Sequence, residues 1–340
     1  MKKNIYTSLL RLGSLLLLAP VVISSCLYEE PELTSDGENG VDPTQVNVMT
    51  ELKLDMQLGS LDLNKTRATE PSEYRHRFII TAYEGKQVAA QQVIYENVQG
   101  GQTSLSLPIS MKLHARKYQL VVWSDYVQKL NGIDQFYYDA DDMERITRNK
   151  SYKGNSSYID AYYGTTSIDL TAYRDQWNVK VPVDIKMVRP LARYELIATD
   201  VAKFLDKVKK GTIAGKTFSV NVKYNYYLTT GFSALTGKVK NPLMYVQYGK
   251  SLPLPTEGTE ECNVGFDYVF VNGEGSFVSV TIEVTNEKGT VVARCKGVKV
   301  PYEQGFTTTA KGEFLTSNPN PGIDFDTDFD GDINVDLDRL

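Results

Sequence analysis

The sequence predicts an all-β protein built from two β-sandwich domains in tandem. Three observations favour this fold: a length of 340 residues, a total of 22 Tyr residues, and many short runs in which apolar and polar residues alternate between turn residues. The formal net charge of −5 lacks the basic excess that nucleic-acid binding requires. Two His and three Cys leave few ligands for a Cys/His zinc site.

Residues 1–25 have the features of a bacterial lipoprotein signal peptide. A basic start precedes an apolar run from Leu12 to Ile23, which is too short to span a bilayer, and small residues precede Cys26. We therefore predict that residues 1–25 are removed and that Cys26 becomes the lipidated first residue, anchored to the outer membrane. An ordinary secretory signal with a coincidental cysteine is the alternative.

The segment 26–45 is acidic and aperiodic, and it predicts a flexible tether before a first sandwich over residues 46–188. That sandwich begins with a strand at 46–58, in which alternate apolar positions predict one buried face. These inward positions include Val46, Val48, Leu52, Leu54, Met56 and Leu58. The polar, proline-containing segment 64–71 predicts an exposed loop.

A long, tyrosine-rich stretch over residues 126–164 follows several short strands. Because it is too long for a plain connection, we expect it to decorate the first sandwich and to carry a helical turn near 141–147. Its tyrosines form either an aromatic platform for a glycan or the packed underside of the insertion. They are Tyr137, Tyr138, Tyr152, Tyr158, Tyr162 and Tyr163.

The second sandwich is predicted over residues 189–340. It includes a short helix that Asp200 caps and Gly211 ends, followed by further alternating strands.

Cys262 and Cys295 could form a disulfide in an oxidising compartment. If their three strands form a simple meander, the two cysteines lie about 10 Å apart, beyond the roughly 7 Å that a disulfide tolerates. Two buried free thiols are therefore favoured, with the disulfide as the alternative.

The tail over residues 323–338 alternates strictly, with Asp or Asn at even positions. Its apolar odd positions include Ile323, Phe325, Phe329, Ile333, Val335 and Leu337. This pattern predicts an extended strand that another surface accepts. Two alternatives are an edge strand of its own domain and a calcium loop starting at Asp326, although Leu337 stands where an EF-hand needs Glu. We predict no metal site and no cofactor.

An enzymatic function is not predicted. His76 and His114 lie on strand-like segments without a nearby nucleophile elbow, and a lone histidine on a strand is more often structural.

The signal peptide, the sequence Thr66-Arg67-Ala68-Thr69 and the two sandwich halves together resemble the fimbrillin-type (type V) pilins of Bacteroidales. The resemblance covers nearly the whole chain. It implies transthyretin-like Greek-key β-sandwich domains with short helical insertions, and cleavage between Arg67 and Ala68 by a trypsin-like protease. Loss of the first strand then opens a groove for a neighbour's strand.

The function that follows is a fimbrial subunit with a structural or adhesive role. The resemblance implies a lipoprotein precursor in the outer membrane that later enters a surface fimbrium. Its partners are other pilin subunits, the maturation protease, the outer membrane through the lipid, and a host or bacterial surface ligand. A surface glycan-binding lipoprotein is the alternative, because it also needs export but has no use for cleavage after Arg67.

Overall fold

A computed structural model describes residues 45–55, 74–96, 105–130, 133–149, 152–174, 176, 180–271, 276–319 and 332–336. The protein is all-β, as its alternating sequence predicts. The strands before residue 190 are β1 (Gln45–Asp55), β2 (Tyr74–Glu84), β3 (Gln87–Glu96), β4 (Leu105–His114), β5 (Lys117–Leu130), β6 (Ile133–Phe136), β7 (Tyr138–Asp139), β8 (Ile146–Arg148), β9 (Ala161–Asp169) and β10 (Val183–Lys186).

The strands after residue 190 are β11 (Leu191–Ala198), β12 (Phe218–Tyr224), β13 (Leu228–Ser233), β14 (Lys238–Leu243), β15 (Gln247–Leu252), β16 (Cys262–Phe270), β17 (Ser276–Asn286), β18 (Val291–Tyr302), β19 (Phe306–Gly312) and β20 (Asp332–Asp336). The helical elements are α1 (Val201–Lys209) and two 3₁₀ turns, Ser157–Ile159 and Thr171–Tyr173. Among the residues with a described placement, the paired strands are antiparallel except for β1 with β10 and β11 with β19.

Two sheets enclose the core of the first half. One has the order β3-β2-β5-β6, with β9 also paired to β5, and the other has the order β10-β1-β4. Buried side chains from both sheets form one cluster, which includes Phe78, Leu107 and Val183. This packing follows from the alternation in β4 and β10, since every second residue of each strand is buried.

The second half has the same layered arrangement. Its two sheets have the orders β16-β11-β19-β20 and β15-β12-β17-β18, and their buried side chains form a second cluster. The helix α1 packs Val201 and Phe204 into this cluster. Gly211 ends the helix with a φ of 74°, a left-handed conformation that glycine adopts without the steric penalty of a side chain.

The carboxylate of Asp200 has a different role from the predicted one. The helix does begin at the next residue, but the side chain makes no capping hydrogen bond. Its oxygens instead accept hydrogen bonds from the backbone N–H groups of Leu315 (3.1 Å) and Thr316 (2.7 Å), and from the Thr316 hydroxyl (2.7 Å). Asp200 therefore ties the segment after β19 to the start of α1.

The insertion joins the two halves rather than decorating the first. Residues 141–145 form a turn, closed by a hydrogen bond from Arg145 N to Asp142 O (2.9 Å), and not the predicted helical turn. The strands β7 and β8 enter a sheet with the order β14-β13-β8-β7. A Cβ on Gly231 would lie 3.0 Å from the carbonyl oxygen of Ile146, so the glycine permits this close strand pairing.

A third apolar cluster lies under this shared sheet. It contains side chains from both halves, including Trp123, Tyr138, Phe232 and Phe270. The rings of Phe232 and Phe270 stack with centroids 5.6 Å apart, and Tyr138 lies edge-on to Trp123 at 5.3 Å. The two halves are therefore held together by a common core.

Cys262 and Cys295 are free thiols. They lie in different sheets, because β16 pairs with β11 whereas β18 pairs with β17, so the three-strand meander is not formed. Both side chains pack against the core of the second half, and burial raises the pKa of each thiol. The two thiols are free, as favoured above, but both are half-buried rather than buried. Cys26 lies outside the described residues.

Candidate functional site

The strand β1 is the central strand of its sheet. It pairs antiparallel with β4 from Gln45 opposite His114 to Leu54 opposite Leu105. On its other side it pairs parallel with β10, from Leu52 opposite Val183 to Asp55 opposite Lys186. An intact first sandwich therefore depends on a strand that comes from the very start of the described chain.

The register relates the apolar positions of β1 to buried positions of its neighbours. Along β4, buried and exposed residues alternate. The buried residues Leu107, Ile109, Met111 and Leu113 stand opposite Leu52, Thr50, Val48 and Val46, respectively. On β10, the buried residues Val183 and Ile185 stand opposite Leu52 and Leu54. The even-numbered positions of β1 are thus the ones in register with the core of the first half.

Several residues of the predicted strand exchange lie outside the described residues. They are Cys26, Met56, Leu58, Arg67, Ala68, Ile323, Phe325, Phe329 and Leu337. Two predicted donor positions, Ile333 and Val335, belong to β20. Among the described residues this strand pairs antiparallel with β19, at the edge of its sheet, with Val335 opposite Thr307 and Ile333 opposite Thr308.

Two arginines near the predicted cleavage segment lie in the ordered strand β2. Arg77 is buried and makes a two-pronged ion pair with Asp125, with Nε–Oδ1 and Nη2–Oδ2 distances of 2.9 and 2.6 Å. Burial raises the pKa of Asp125, and the guanidinium of Arg77 opposes that shift. Arg75 donates to Asp134 at 2.6 Å. Both arginines are therefore engaged within the folded chain.

A buried ion pair lies at the connection between the two halves. Arg189 Nε lies 3.0 Å from Asp160 Oδ2, and neither side chain is exposed to solvent. Burial raises the pKa of Asp160, opposed by the charge of Arg189 and by hydrogen bonds from Arg189, Ala161 N and Tyr162. The carbonyl of Arg189 accepts a hydrogen bond from Gln304 at 2.6 Å, which fixes the same residue to the second half.

A second buried network crosses from the insertion to β16. Arg148 Nη2 lies 3.3 Å from Asp267 Oδ1, and Tyr152 and Tyr224 donate their hydroxyls to Asp267 Oδ2 at 2.5 and 2.8 Å. Burial raises the pKa of both tyrosines well above the usual value, so they remain neutral hydrogen-bond donors. The carboxylate of Asp267 is thereby paired and hydrogen-bonded inside the protein.

The insertion tyrosines are packed rather than displayed as a platform. Tyr138 and Tyr162 are buried, and Tyr137 and Tyr163 pack against the shared core between the halves. Tyr152 belongs to the Asp267 network, and the other member, Tyr158, lies edge-on to Tyr126. All six side chains are buried or half-buried and make contacts within the folded chain, as the packed interpretation expects.

The two histidines are buried in the first half. His76 packs against aromatic rings, with its centroid 4.2 Å from that of Tyr126, and His114 is at the end of β4. In the described part of the chain, no three His, Cys, Asp or Glu side chains are grouped so that they hold a metal ion. Nor does this part contain a helix that is long and apolar enough to cross a bilayer.

A surface groove that the sequence did not predict runs along the insertion. Its larger part is a cavity of about 750 Å³ between the insertion and the connection from β14 to β15. A second cavity of about 490 Å³ lies on the side of β2 and β3, and Asp139, Asp141 and Asn149 line both. The signal in the sequence is the run Leu243-Met244-Tyr245, which is apolar at a turn where polar residues are usual.

The fold and this site define a two-layered β-sandwich protein with a central first strand. Residues 43–338 match the family described as Family of unknown function (DUF6562), and the chain belongs to that family. No curated protein matches the chain.

Several solved structures are similar to this chain at low identity. The fimbrial anchor protein Mfa2 from Porphyromonas gingivalis is 10% identical with a TM-score of 0.40, over 77% of this chain and 90% of that one. A candidate cell adhesion protein from Bacteroides eggerthii is 10% identical with a TM-score of 0.42, over 85% and 95%. A candidate polysaccharide-binding protein from Bacteroides thetaiotaomicron is 8% identical with a TM-score of 0.43, over 79% and 94%. The function of this chain is accordingly inferred from its own residues.

Proposed function

We propose that this protein is a surface fimbrial subunit that is exported as a lipoprotein, cleaved after Arg67 and polymerised by strand exchange. The observation that supports this most strongly is the position of β1. It is the middle strand of the sheet β10-β1-β4, and it is connected to β2 through residues 56–73, which contain Arg67. A single cut in that connection converts a covalently held central strand into one held only by non-covalent contacts.

Loss of β1 leaves a groove that favours a replacement strand. Ten residues of β4 and four residues of β10 stand opposite residues of β1. When β1 leaves, backbone N–H and C=O groups of β4 and β10 lose their hydrogen-bond partners. The buried residues of β4 and β10 also become accessible to water. Burying five or six large apolar side chains contributes on the order of 10 kcal/mol before ordering costs, so a complementary strand binds such a groove strongly.

The proposed occupant is the tail, residues 323–338, of a neighbouring subunit. Its apolar odd positions repeat every second residue, as those of β1 do, and therefore match the spacing of the groove. Part of the tail, β20, pairs with β19 along one edge, and no second pairing partner is present in the described part of the chain. Strand exchange thus replaces the pairing of the tail with β19 of its own subunit by pairing with both β4 and β10 of the neighbouring subunit. The partners are other subunits of this kind and a trypsin-like protease, with the outer membrane holding the precursor through lipidated Cys26.

Limited trypsin digestion of the full-length precursor tests the cleavage step. We expect the first cut between Arg67 and Ala68, because Arg75 and Arg77 are engaged in β2 by Asp134 and Asp125. Edman sequencing should show a new N-terminus at Ala68, and electron microscopy should show polymers after cleavage only. The double variant Arg67→Gln/Lys65→Gln should block both outcomes, because trypsin also cleaves after lysine, whereas the matched variant Lys65→Gln should leave them unchanged.

The donor strand is tested in the same polymerisation assay. The triple variant Phe325→Asp/Ile333→Asp/Val335→Asp should stop polymerisation. The monomer's Tm should change little, because β20 lies at the edge of its sheet and, within the described ranges, pairs with β19 on one side. Changing Asp326, Asp328 and Asp330 to Asn should leave polymerisation intact. An unfolded triple variant means that the tail is an ordinary strand of its own domain, whereas loss of calcium-dependent stability in the Asn variant means a calcium loop. Cleaved wild type that stays monomeric contradicts the proposal as a whole.

A further inference from the structure

The groove beside the insertion has the size and shape of a binding site for an extended chain. Its two cavities, of about 750 and 490 Å³, are each within the range of ligand sites and adjoin at Asp139, Asp141 and Asn149. The first reaches Tyr245 in the second half, and the second reaches Tyr95 in the first half. A ligand that fills both cavities is therefore longer than a single small ring.

The wall of the larger cavity contains an exposed aromatic ring on a strained backbone. Tyr245 has a φ of 62° and is 86% exposed. A bulky residue seldom adopts this left-handed conformation, which glycine and asparagine tolerate at turns. Because the ring is almost fully exposed, its packing does little to stabilise the fold. The backbone conformation therefore does not favour a tyrosine at this position, and packing in the core does not require one. A ligand that stacks on the face of the ring explains the tyrosine.

The polar groups of the groove restrict the ligand further. The exposed carboxylates of Asp139 and Asp141 accept hydrogen bonds but donate none, so the ligand must bring several donors. Arg145 supplies donors on the same surface. The side-chain amides of Asn149 and Asn241 already donate one hydrogen bond each, to Phe136 O and Thr230 Oγ1, and keep one N–H each for a ligand. Hydroxyl groups act both as donors and as acceptors and therefore satisfy both sets of side chains. The carboxylates repel a strongly anionic chain.

We propose that this groove binds a neutral oligosaccharide chain, with one sugar ring stacked on Tyr245 and its hydroxyls hydrogen-bonded to Asp139, Asp141 and Asn149. An extended peptide fits less well, because β7, the edge strand at the groove, offers only the two residues Tyr138–Asp139 for added strand pairing. This site is separate from the β1 groove, so a test of glycan binding does not depend on whether strand exchange occurs.

An array of neutral oligosaccharides of various hexoses, N-acetylhexosamines and pentoses tests the proposal with the uncleaved full-length chain. We expect binding to at least one neutral glycan, weakened about tenfold or more by Tyr245→Asn, since that is the effect of losing about 1.4 kcal/mol of stacking. The Tm of this variant should be unchanged or higher, because asparagine tolerates the left-handed conformation. Tyr227→Asn is the matched control: Tyr227 is 68% exposed and does not line the cavity.

A second variant separates hydrogen bonding from stacking. Asp141→Asn should weaken binding of the same neutral glycan and should raise the relative binding of polygalacturonate, an acidic glycan, because a repelling charge is removed. Failure of every neutral glycan on the array to bind overturns the proposal. Equal weakening by Tyr227→Asn and Tyr245→Asn does so as well. Binding of oligolysine in place of any glycan would instead make the groove a site for basic peptides.

Discussion

At the residue scale, the described part of this protein buries three ion pairs, one within the first half and two where its halves meet. The pairs Arg77–Asp125, Arg148–Asp267 and Arg189–Asp160 all have side chains with 7% exposure or less. A buried ion pair contributes little net stability, because desolvation offsets most of the attraction, but an unpaired buried charge is very unfavourable. The pairs Arg148–Asp267 and Arg189–Asp160 therefore specify one geometry of the junction more than they stabilise the fold.

Arg189→Met tests this view. It leaves the carboxylate of Asp160 buried without its counter-charge, so the free energy of unfolding should fall by about 3–5 kcal/mol in urea denaturation. Adding Asp160→Asn should recover a large part of that loss, because the uncompensated charge is removed. If the loss in free energy of unfolding of the double variant equals the sum of the losses of Arg189→Met and Asp160→Asn, the two side chains are not directly coupled.

Glu283 makes the stability of the second half depend on pH. Partial burial alone would raise the pKa of this carboxyl, but hydrogen bonds from Lys223 (2.7 Å) and Arg294 (2.9 Å) leave it below the usual 4.5. A lowered pKa in the folded state means that the stabilisation is complete above pH 4.5. It is lost as the pH falls through the lower folded pKa.

Glu283→Gln should therefore lower the free energy of unfolding by about 1 kcal/mol at pH 7, with the difference from wild type disappearing in acid below that folded pKa. Denaturation at a series of pH values measures this. Glu257→Gln is the control, since the Glu257–Lys209 pair is 3.7 Å long and highly exposed, so it should have no measurable effect. A Glu283→Gln difference that persists at low pH would mean that charge is not the cause.

At the element scale, the register of β1 gives Val48 and Met49, two neighbouring apolar residues, different environments. Val48 stands opposite buried Met111, whereas Met49 stands opposite exposed Ser110. A strand places successive residues on opposite faces, so only the first of these positions is in register with the core.

Val48→Asp should destabilise the uncleaved chain by roughly 3 kcal/mol or more, because it brings an unpaired charge to a core position. Met49→Asp should change the free energy of unfolding by no more than about 0.5 kcal/mol. Thermal melts of the two purified variants distinguish these expectations. Equal losses would mean that the register differs from the one described, and the β1 groove would then lose its predicted inner face.

At the scale of the whole molecule, the two halves share one core. The strands β7 and β8 pair with β13 of the other half, so the insertion acts as part of a common sheet. Forces on a polymerised subunit would therefore pass through a packed junction rather than through a free linker.

Cys26→Ala should abolish lipid attachment and leave the whole chain soluble in the periplasm. A single thiol is the predicted attachment point, so fractionation followed by a lipid-labelling assay measures the effect. Ser25→Ala, which keeps a small residue before the cysteine, should leave attachment intact. Membrane association of the Cys26→Ala protein that resists high salt would contradict the lipoprotein assignment.

The sequence by itself determined the elements whose signal is local. The alternation in β1, β4 and β12, and the helix α1 with its terminating Gly211, follow from periodicity and from the conformational freedom of glycine. Only the tertiary structure decided the long-range pairings. These include β1 beside β10, β8 beside β13, the separation of Cys262 from Cys295, and Asp200 binding the backbone of Thr316. The physical reason is that a residue pattern fixes which face of a strand is apolar, while the partner that covers this face is selected by the packing of the whole chain.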